Sequence, residues 1–316
     1  MKGWGIALGV ILIVMGYLAV TRLHSDTVTR TLLNPISEEK KELQYEKYSF
    51  ERLALRGGRA SNIEIVGDKF YYLSEGRRIS GMVTRPSGSD PVGIVVMARG
   101  YVDKEIYQMG MGTKNAAKYY AEHGYMTYAP DFSGYGESDP EDEYPFGARL
   151  VKPVEILDLI ASIKTDKPIY LWGHSNGGQI MLSVAECLRG SSLKVRGMIL
   201  WAPVSKPFPY NVLYYADEAS DSGKWLRGEV AKFEAEYDVF NYSIDRYLDW
   251  IQIPIQLHQG SADQEVPVWW SRELVEELRN KNKVISLYEY SGANHNLQPG
   301  WDRVVARDVS FMNSLN

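Results

Sequence analysis

Six short apolar runs, separated by stretches with helical spacing, restrict this chain to few architectures. They occupy 93–98, 125–128, 169–172, 197–201, 253–257 and 284–288. A strand with one wet face alternates apolar and polar residues, so continuous apolar runs of this length point to strands buried on both faces. Helical patterns lie between most of them, at 115–122, 153–163 and 270–280. Parallel strands need a crossover, and a helix supplies one. The alternation therefore predicts an α/β fold, a mostly parallel sheet with helices on both faces. Ahead of these runs, Ile63, Ile65, Phe70 and Tyr72 alternate, as do Ile79, Gly81 and Val83, which predicts an antiparallel pair opening the sheet. The interval 205–250 breaks the rhythm. It holds no strand pattern but many aromatics, among them Phe208, Tyr214, Tyr215, Phe233, Tyr237 and Tyr242. It is too long for a plain loop and reads as a helical lid insertion whose aromatics line an acyl or side-chain pocket. The plainer alternative is a segment packed on the domain surface.

Composition excludes several functions. A chain of 316 residues with 45% apolar content can bury a full core, and its net charge of −5 is spread without a basic stripe. Nucleic acid is therefore not an expected partner. Cys187 is the only cysteine, so neither an internal disulfide nor a cysteine-based zinc site is available. No metal or organic cofactor is expected. A dinucleotide site read from Gly110-Met111-Gly112 with Asp131 further on lacks the third glycine and a preceding strand.

The amino terminus bears on location. Residues 3–20 carry no charge, with Lys2 before them and Arg22, His24 and Arg30 after. As a helix this run spans about 27 Å, close to a hydrocarbon core. Residues 17–21 offer no small-x-small cleavage pattern, which favours a retained single-pass membrane anchor at 1–22 over a cleaved signal. The remainder reads as a juxtamembrane linker and helix at 23–60 and a domain at 61–316, placed outside the cytoplasm.

The chemistry is concentrated at Gly173-His174-Ser175-Asn176-Gly177-Gly178, after the apolar run 169–172 and before the helical stretch 179–185. A G-x-S-x-G core between strand and helix is a sharp turn that leaves no room for side chains at Gly173 and Gly177. It thrusts Ser175 Oγ above the sheet and leaves the Asn176 N–H at a helix N-terminus, where it can face an oxyanion. Ser175 is thus the candidate nucleophile.

A serine hydroxyl needs a base, and the base needs a carboxylate to hold its tautomer. Of five histidines, His24 flanks the anchor, His123 ends a helix, His174 lies inside the turn, and His258 sits at a strand end. His295, in the loop Gly292-Ala293-Asn294-His295, is the candidate general base. Asp263 follows the strand at 253–257 and a small-residue turn, and Val266-Pro267 opens the next helix, which makes it the candidate acid over Glu265. A second oxyanion donor belongs in the loop after 93–98. There Gly100 permits close backbone approach and the Tyr101 N–H is the candidate. Arg99 is read as an anion-binding group or a salt bridge beneath the site, and Asp131 as a turn residue.

These residues resemble the α/β-hydrolase superfamily, and most of all the catalytic domain of the prolyl oligopeptidase family. The resemblance rests on Gly173-His174-Ser175-Asn176-Gly177-Gly178, on residues 260–267 and on Gly292-Ala293-Asn294-His295, and it covers about 75–315. It implies a Ser175, Asp263 and His295 triad with oxyanion donors from Asn176 and Tyr101, acting on a small ester or peptide. Two departures stand out: the segment before residue 75 is too short for that family's β-propeller, and Arg99-Gly100 replaces the usual His-Gly. Esterases related to dienelactone hydrolase share the same motifs, and a membrane-tethered binding module is a more distant reading.

Overall fold

The apolar runs form the middle of a nine-stranded sheet in a computed structural model that describes residues 43–88, 90–191 and 193–316. The strands are β1 (Glu64–Val66), β2 (Lys69–Ser74), β3 (Arg77–Thr84), β4 (Gly93–Ala98), β5 (Tyr125–Pro130), β6 (Ile169–His174), β7 (Val195–Trp201), β8 (Ile255–Gly260) and β9 (Ile285–Tyr290). Their order is β1-β2-β3-β5-β4-β6-β7-β8-β9. Every pairing from β5 through β9 is parallel, whereas β1, β2, β3 and β5 pair antiparallel. The opening pair expected from sequence is in fact three strands, because the alternation through Ile63, Ile65, Phe70 and Tyr72 is divided by a turn at Gly67-Asp68 into β1 and β2.

Helices cover both faces. On one, α2 (Lys114–Glu122) and the C-terminal α9 (Trp301–Ser314) close over Tyr170, Trp172 and Trp201, all buried in the main apolar cluster. On the other, α5 (Asn176–Cys187) is buried from Gly177 to Cys187, between the sheet and the helices α1 (Phe50–Arg56) and α4 (Lys152–Ser162). The short α3 (Pro145–Leu150) leads directly into α4. Burying each large apolar side chain is worth roughly 1.5–3 kcal/mol, so α5 is held by packing rather than by its propensity.

The compact unit runs from Tyr45 to Asn316 and so begins inside the stretch read as linker. Phe50 and Leu53 are buried, and Arg56 donates to Asp158 at 2.8 Å, which ties α1 to α4. The anchor at 1–22 and the start of the linker helix lie outside the described residues. Among the described residues no helix is long and apolar enough to cross a membrane.

Between β7 and β8 the chain forms α6 (Tyr210–Leu213), α7 (Lys224–Glu236) and several 3-10 turns, then α8 (Val268–Asn280) follows β8. The aromatics of this insertion divide into two groups. Phe208, Phe233, Tyr237 and Tyr242 are buried, and Phe208 and Phe233 meet Phe146 edge-on at centroid distances of 5.4 and 5.5 Å. These four aromatics of the expected pocket lining instead join the insertion to the rest of the domain. Tyr214 and Tyr215 instead pack on Trp270.

Register explains where the loops meet. Ala98 pairs with Gly173, so the loop after β4 lies against the end of β6. Gly260 pairs with Tyr290, so the loops after β8 and β9 also leave side by side. Neighbours β5 and β6 flank β4 on opposite sides, which makes its carboxyl end the crevice where open α/β sheets bind ligands.

Candidate active site

Ser175 joins β6 to α5 with φ 55° and ψ −122°, a conformation that costs a non-glycine residue on the order of 1–3 kcal/mol. Backbone bonds hold it there. Its N–H donates to the Trp201 carbonyl at 2.9 Å, and its carbonyl accepts from Gly178 and Val204 at 2.9 and 3.0 Å. The glycines around it are required by contact: a Cβ on Gly177 would lie 2.0 Å from the Ala98 carbonyl oxygen, and one on Gly173 2.5 Å from that of Gly177. A Cβ on Gly100 would sit 3.1 Å from Ser175 Cβ, so the β4 loop approaches Ser175 through a backbone without a side chain.

The structure brings Asp263 and His295 together. His295 Nδ1 donates to Asp263 Oδ2 at 2.9 Å, with the Asp263 side chain fully buried and that of His295 15% exposed. An ionised carboxylate only accepts, so the pairing places the proton on Nδ1 and leaves Nε2 free. Asp263 is saturated with donors: Gln259 Nε2 on Oδ2, and the N–H groups of Glu265 and Val266 on Oδ1, each at 2.9 Å. Burial pushes its carboxyl up, but His295 and the two backbone N–H groups outweigh this and hold it below the usual aspartate value. Glu265 is exposed and contributes its backbone to this turn.

His174 connects the elbow to the base loop. Its Nε2 lies 3.0 Å from the His295 carbonyl, and the two rings are 4.6 Å apart. A carbonyl can only accept, which assigns the proton to Nε2. Burial, together with the nearby His295, pulls His174 down to about 4, so it is neutral at ordinary pH. Ser175 Oγ makes no hydrogen bond among the described residues; such contacts often close only when substrate binds. The N–H groups of Asn176 and Tyr101 likewise have no acceptor among the described residues. Tyr101 itself is 73% exposed and its hydroxyl turns to Asp103.

The other candidates have internal partners. His258 is fully buried between Asp308 and Tyr290 at 2.8 Å from each. His123 is exposed and bonds the Tyr119 carbonyl. Asp131 is buried and accepts from Ser80 and Tyr107. Arg99 forms no salt bridge among the described residues. It bonds the carbonyls of Gly100 and Asp131 and lies over the rings of Tyr135 and Tyr107 at 4.1 and 4.5 Å. Among the described residues no group of three or more His, Cys, Asp or Glu is placed to hold a metal. A cavity of about 300 Å³ bounded by Lys206, Tyr210, Trp269, Trp270 and Glu273 includes none of Ser175, Asp263 and His295.

Comparison with known proteins agrees with this architecture. Residues 89–239 match the family described as "Serine aminopeptidase, S33", a span that includes Ser175 and ends before Asp263. The uncharacterized peptidase YtmA of Bacillus subtilis is 23% identical over 245 residues, covering 76% of this chain and 90% of that protein. The ferulic acid complex of Est1E from Butyrivibrio proteoclasticus superposes with a TM-score of 0.56 at 18% identity, over 78% of this chain and 98% of that one. The chain has the α/β-hydrolase fold. A Pyrococcus horikoshii acylaminoacyl peptidase shares the hydrolase fold at a TM-score of 0.56 and 17% identity, over 80% of this chain and 41% of that one.

Two cations of this protein escaped the sequence reading. Arg149, at the end of α3, donates to the Asn176 and Gln179 side-chain carbonyls at 3.3 and 2.7 Å. Lys152 lies one turn further on, 5.9 Å from the Tyr135 ring centroid. Their only signal in sequence is a pair of cations three apart in an apolar stretch, which does not show what they face.

Proposed function

We propose that this α/β hydrolase is a serine hydrolase that cleaves an ester or peptide bond through an acyl-enzyme. The observation that carries the reading is the 2.9 Å bond from His295 Nδ1 to a fully buried Asp263, made beside an elbow that strains Ser175. In this reading Ser175 Oγ attacks the substrate carbonyl carbon while His295 Nε2 takes the hydroxyl proton and Asp263 stabilises the imidazolium. The N–H groups of Asn176 and Tyr101 bind the oxyanion. Collapse of the tetrahedral species breaks the bond to the leaving group, which receives the proton from His295. Water then repeats the sequence on the acyl-enzyme and frees Ser175.

A prolyl-oligopeptidase-like peptidase is the leading form of this proposal, and a carboxylesterase the second, since the similar proteins include peptidases and Est1E. Substituting Ser175→Ala is expected to abolish both fluorophosphonate labelling and p-nitrophenyl ester hydrolysis. A fully labelled alanine variant overturns the assignment. Ester turnover without cleavage of peptide amides defeats the peptidase form and leaves the mechanism intact.

A further inference from the structure

The cations drawn into the interior differ in their partners. Arg56 is matched by Asp158 at 2.8 Å and Glu75 at 2.9 Å, whereas Arg99 is met by two backbone carbonyls and aromatic rings. Arg149 and Lys152 are partly buried, yet among the described residues neither has a carboxylate partner. Arg149 reaches only the neutral amides of Asn176 and Gln179, and Lys152 Nζ makes no hydrogen bond among the described residues. Both side chains keep only partial exposure. Burial pulls Arg149 down to about 10, and burial with Arg99 pulls Lys152 down to about 8. Holding charges where solvation is poor and no counter-ion is provided is unfavourable unless something else supplies the anion.

Their position says what that is. Arg149 grips the side chain of Asn176, the residue directly after Ser175. Tyr135 lies between Lys152 and Arg99, with ring distances of 5.9 and 4.1 Å, and Arg99 bonds the Gly100 carbonyl on the loop facing Ser175. The nearest carboxylates are engaged elsewhere: Glu141 with Lys104, and Asp131 with Ser80 and Tyr107. Glu155, one turn beyond Lys152, is fully buried and faces the Ser133 N–H. The wall of the crevice beside the nucleophile is thus cationic, and α5 presents its N-terminus to the same space.

We infer that this hydrolase acts on substrates bearing a carboxylate near the scissile carbonyl, which Arg149 and Lys152 bind. The inference rests on the serine-hydrolase reading above. It disfavours a substrate whose free α-amine must lie in this part of the site, because an ammonium would meet two cations.

The test compares esters matched in length and differing in charge. Mono-p-nitrophenyl glutarate against p-nitrophenyl valerate probes the acyl side, and 3-carboxyphenyl butyrate against phenyl butyrate probes the leaving-group side. One charge-assisted contact predicts a preference in kcat/KM of about 10- to 100-fold for the anionic member of at least one pair. That preference is expected to shrink with added salt and to be lost in Arg149→Met and Lys152→Met, while Arg149→Lys keeps part of it. If Arg149→Met fails to fold, Lys152→Met and the salt series decide. Equal or lower turnover of both anionic esters overturns the inference, as does a preference that survives in both methionine variants. Fluorophosphonate labelling of the wild type keeps the two proposals apart. Labelled protein without charge preference sinks only the carboxylate site, and unlabelled, folded protein sinks the serine-hydrolase reading beneath it.

Discussion

Replacing Asp263 by asparagine examines the proposed machinery at the point where geometry leaves least freedom. The carboxylate accepts four hydrogen bonds, two on each oxygen. An asparagine of the same shape must turn its NH2 toward one pair of donors. If NH2 faces the backbone N–H groups of Glu265 and Val266, a donor meets two donors in a closed turn. If it faces His295, Nδ1 must become an acceptor, and the proton moves to Nε2, the atom required as base. Gln259 cannot relieve the conflict by flipping its amide, because its Nε2 also donates to the Gly260 and Val266 carbonyls at 3.3 Å each, which can only accept. The wrong tautomer lowers kcat by about 10⁴, or roughly 5.5 kcal/mol of transition-state stabilisation. The mispaired donors add about 1–3 kcal/mol of lost stability.

Burst and steady-state hydrolysis of a p-nitrophenyl ester measures the first effect, and thermal unfolding the second. The sign with pH follows from the depressed folded pKa of Asp263. Its stabilising contribution is whole above the ordinary value of 3.8 and fades as pH falls through the lower folded value. The stability gap between wild type and Asp263→Asn should therefore narrow in acid. A folded asparagine variant within tenfold of wild-type kcat refutes the tautomer argument and removes Asp263 from the proposed triad.

Two further substitutions test the framework. A Cβ at Gly260 would lie 2.3 Å from the Ala293 carbonyl oxygen, so Gly260→Ala should displace the His295 loop, cost about 1–3 kcal/mol and lower kcat; wild-type kcat in this variant would show that β8 does not set the base. Burial pushes Glu155 up to about 7, against its bond from Ser133, so the native state binds a proton more tightly than the unfolded chain and loses stability as pH rises from 4.5 to about 7. Glu155→Gln should thus gain on the wild type by on the order of 3 kcal/mol between pH 5 and pH 8, and a pH-independent difference in unfolding temperature counts against a buried, protonatable Glu155.

Much of this protein is legible along the chain, for identifiable reasons. The strands β4 to β7 can be read because residues buried on both faces are mostly apolar in succession, and β4 matches the expected 93–98 run end to end. Ser175, Asp263 and His295 can be nominated because each lies in a short segment rich in glycine and small residues that follows an apolar run. The features that escaped depend on contacts between distant segments. The helix α1 looks like linker until Arg56 meets Asp158 102 residues away. Phe208 and Phe233 look like pocket lining until Phe146 fills the space between them. His174 looks like a packed elbow residue until its ring is found against His295, 121 residues further on.

The division has a physical basis. Strand burial and tight-turn chemistry are local properties, and the amino-acid order alone made the strands and the candidate nucleophile, acid and base legible. Which strand ends lie side by side is decided by register and by the crossovers that place β4 between β5 and β6. That arrangement sets His295 against Asp263, brings Gly100 over Ser175, and leaves Arg149 and Lys152 without carboxylate partners among the described residues beside the proposed nucleophile. Charge compensation is a property of three-dimensional neighbourhoods, so the cationic wall became visible only in the folded protein.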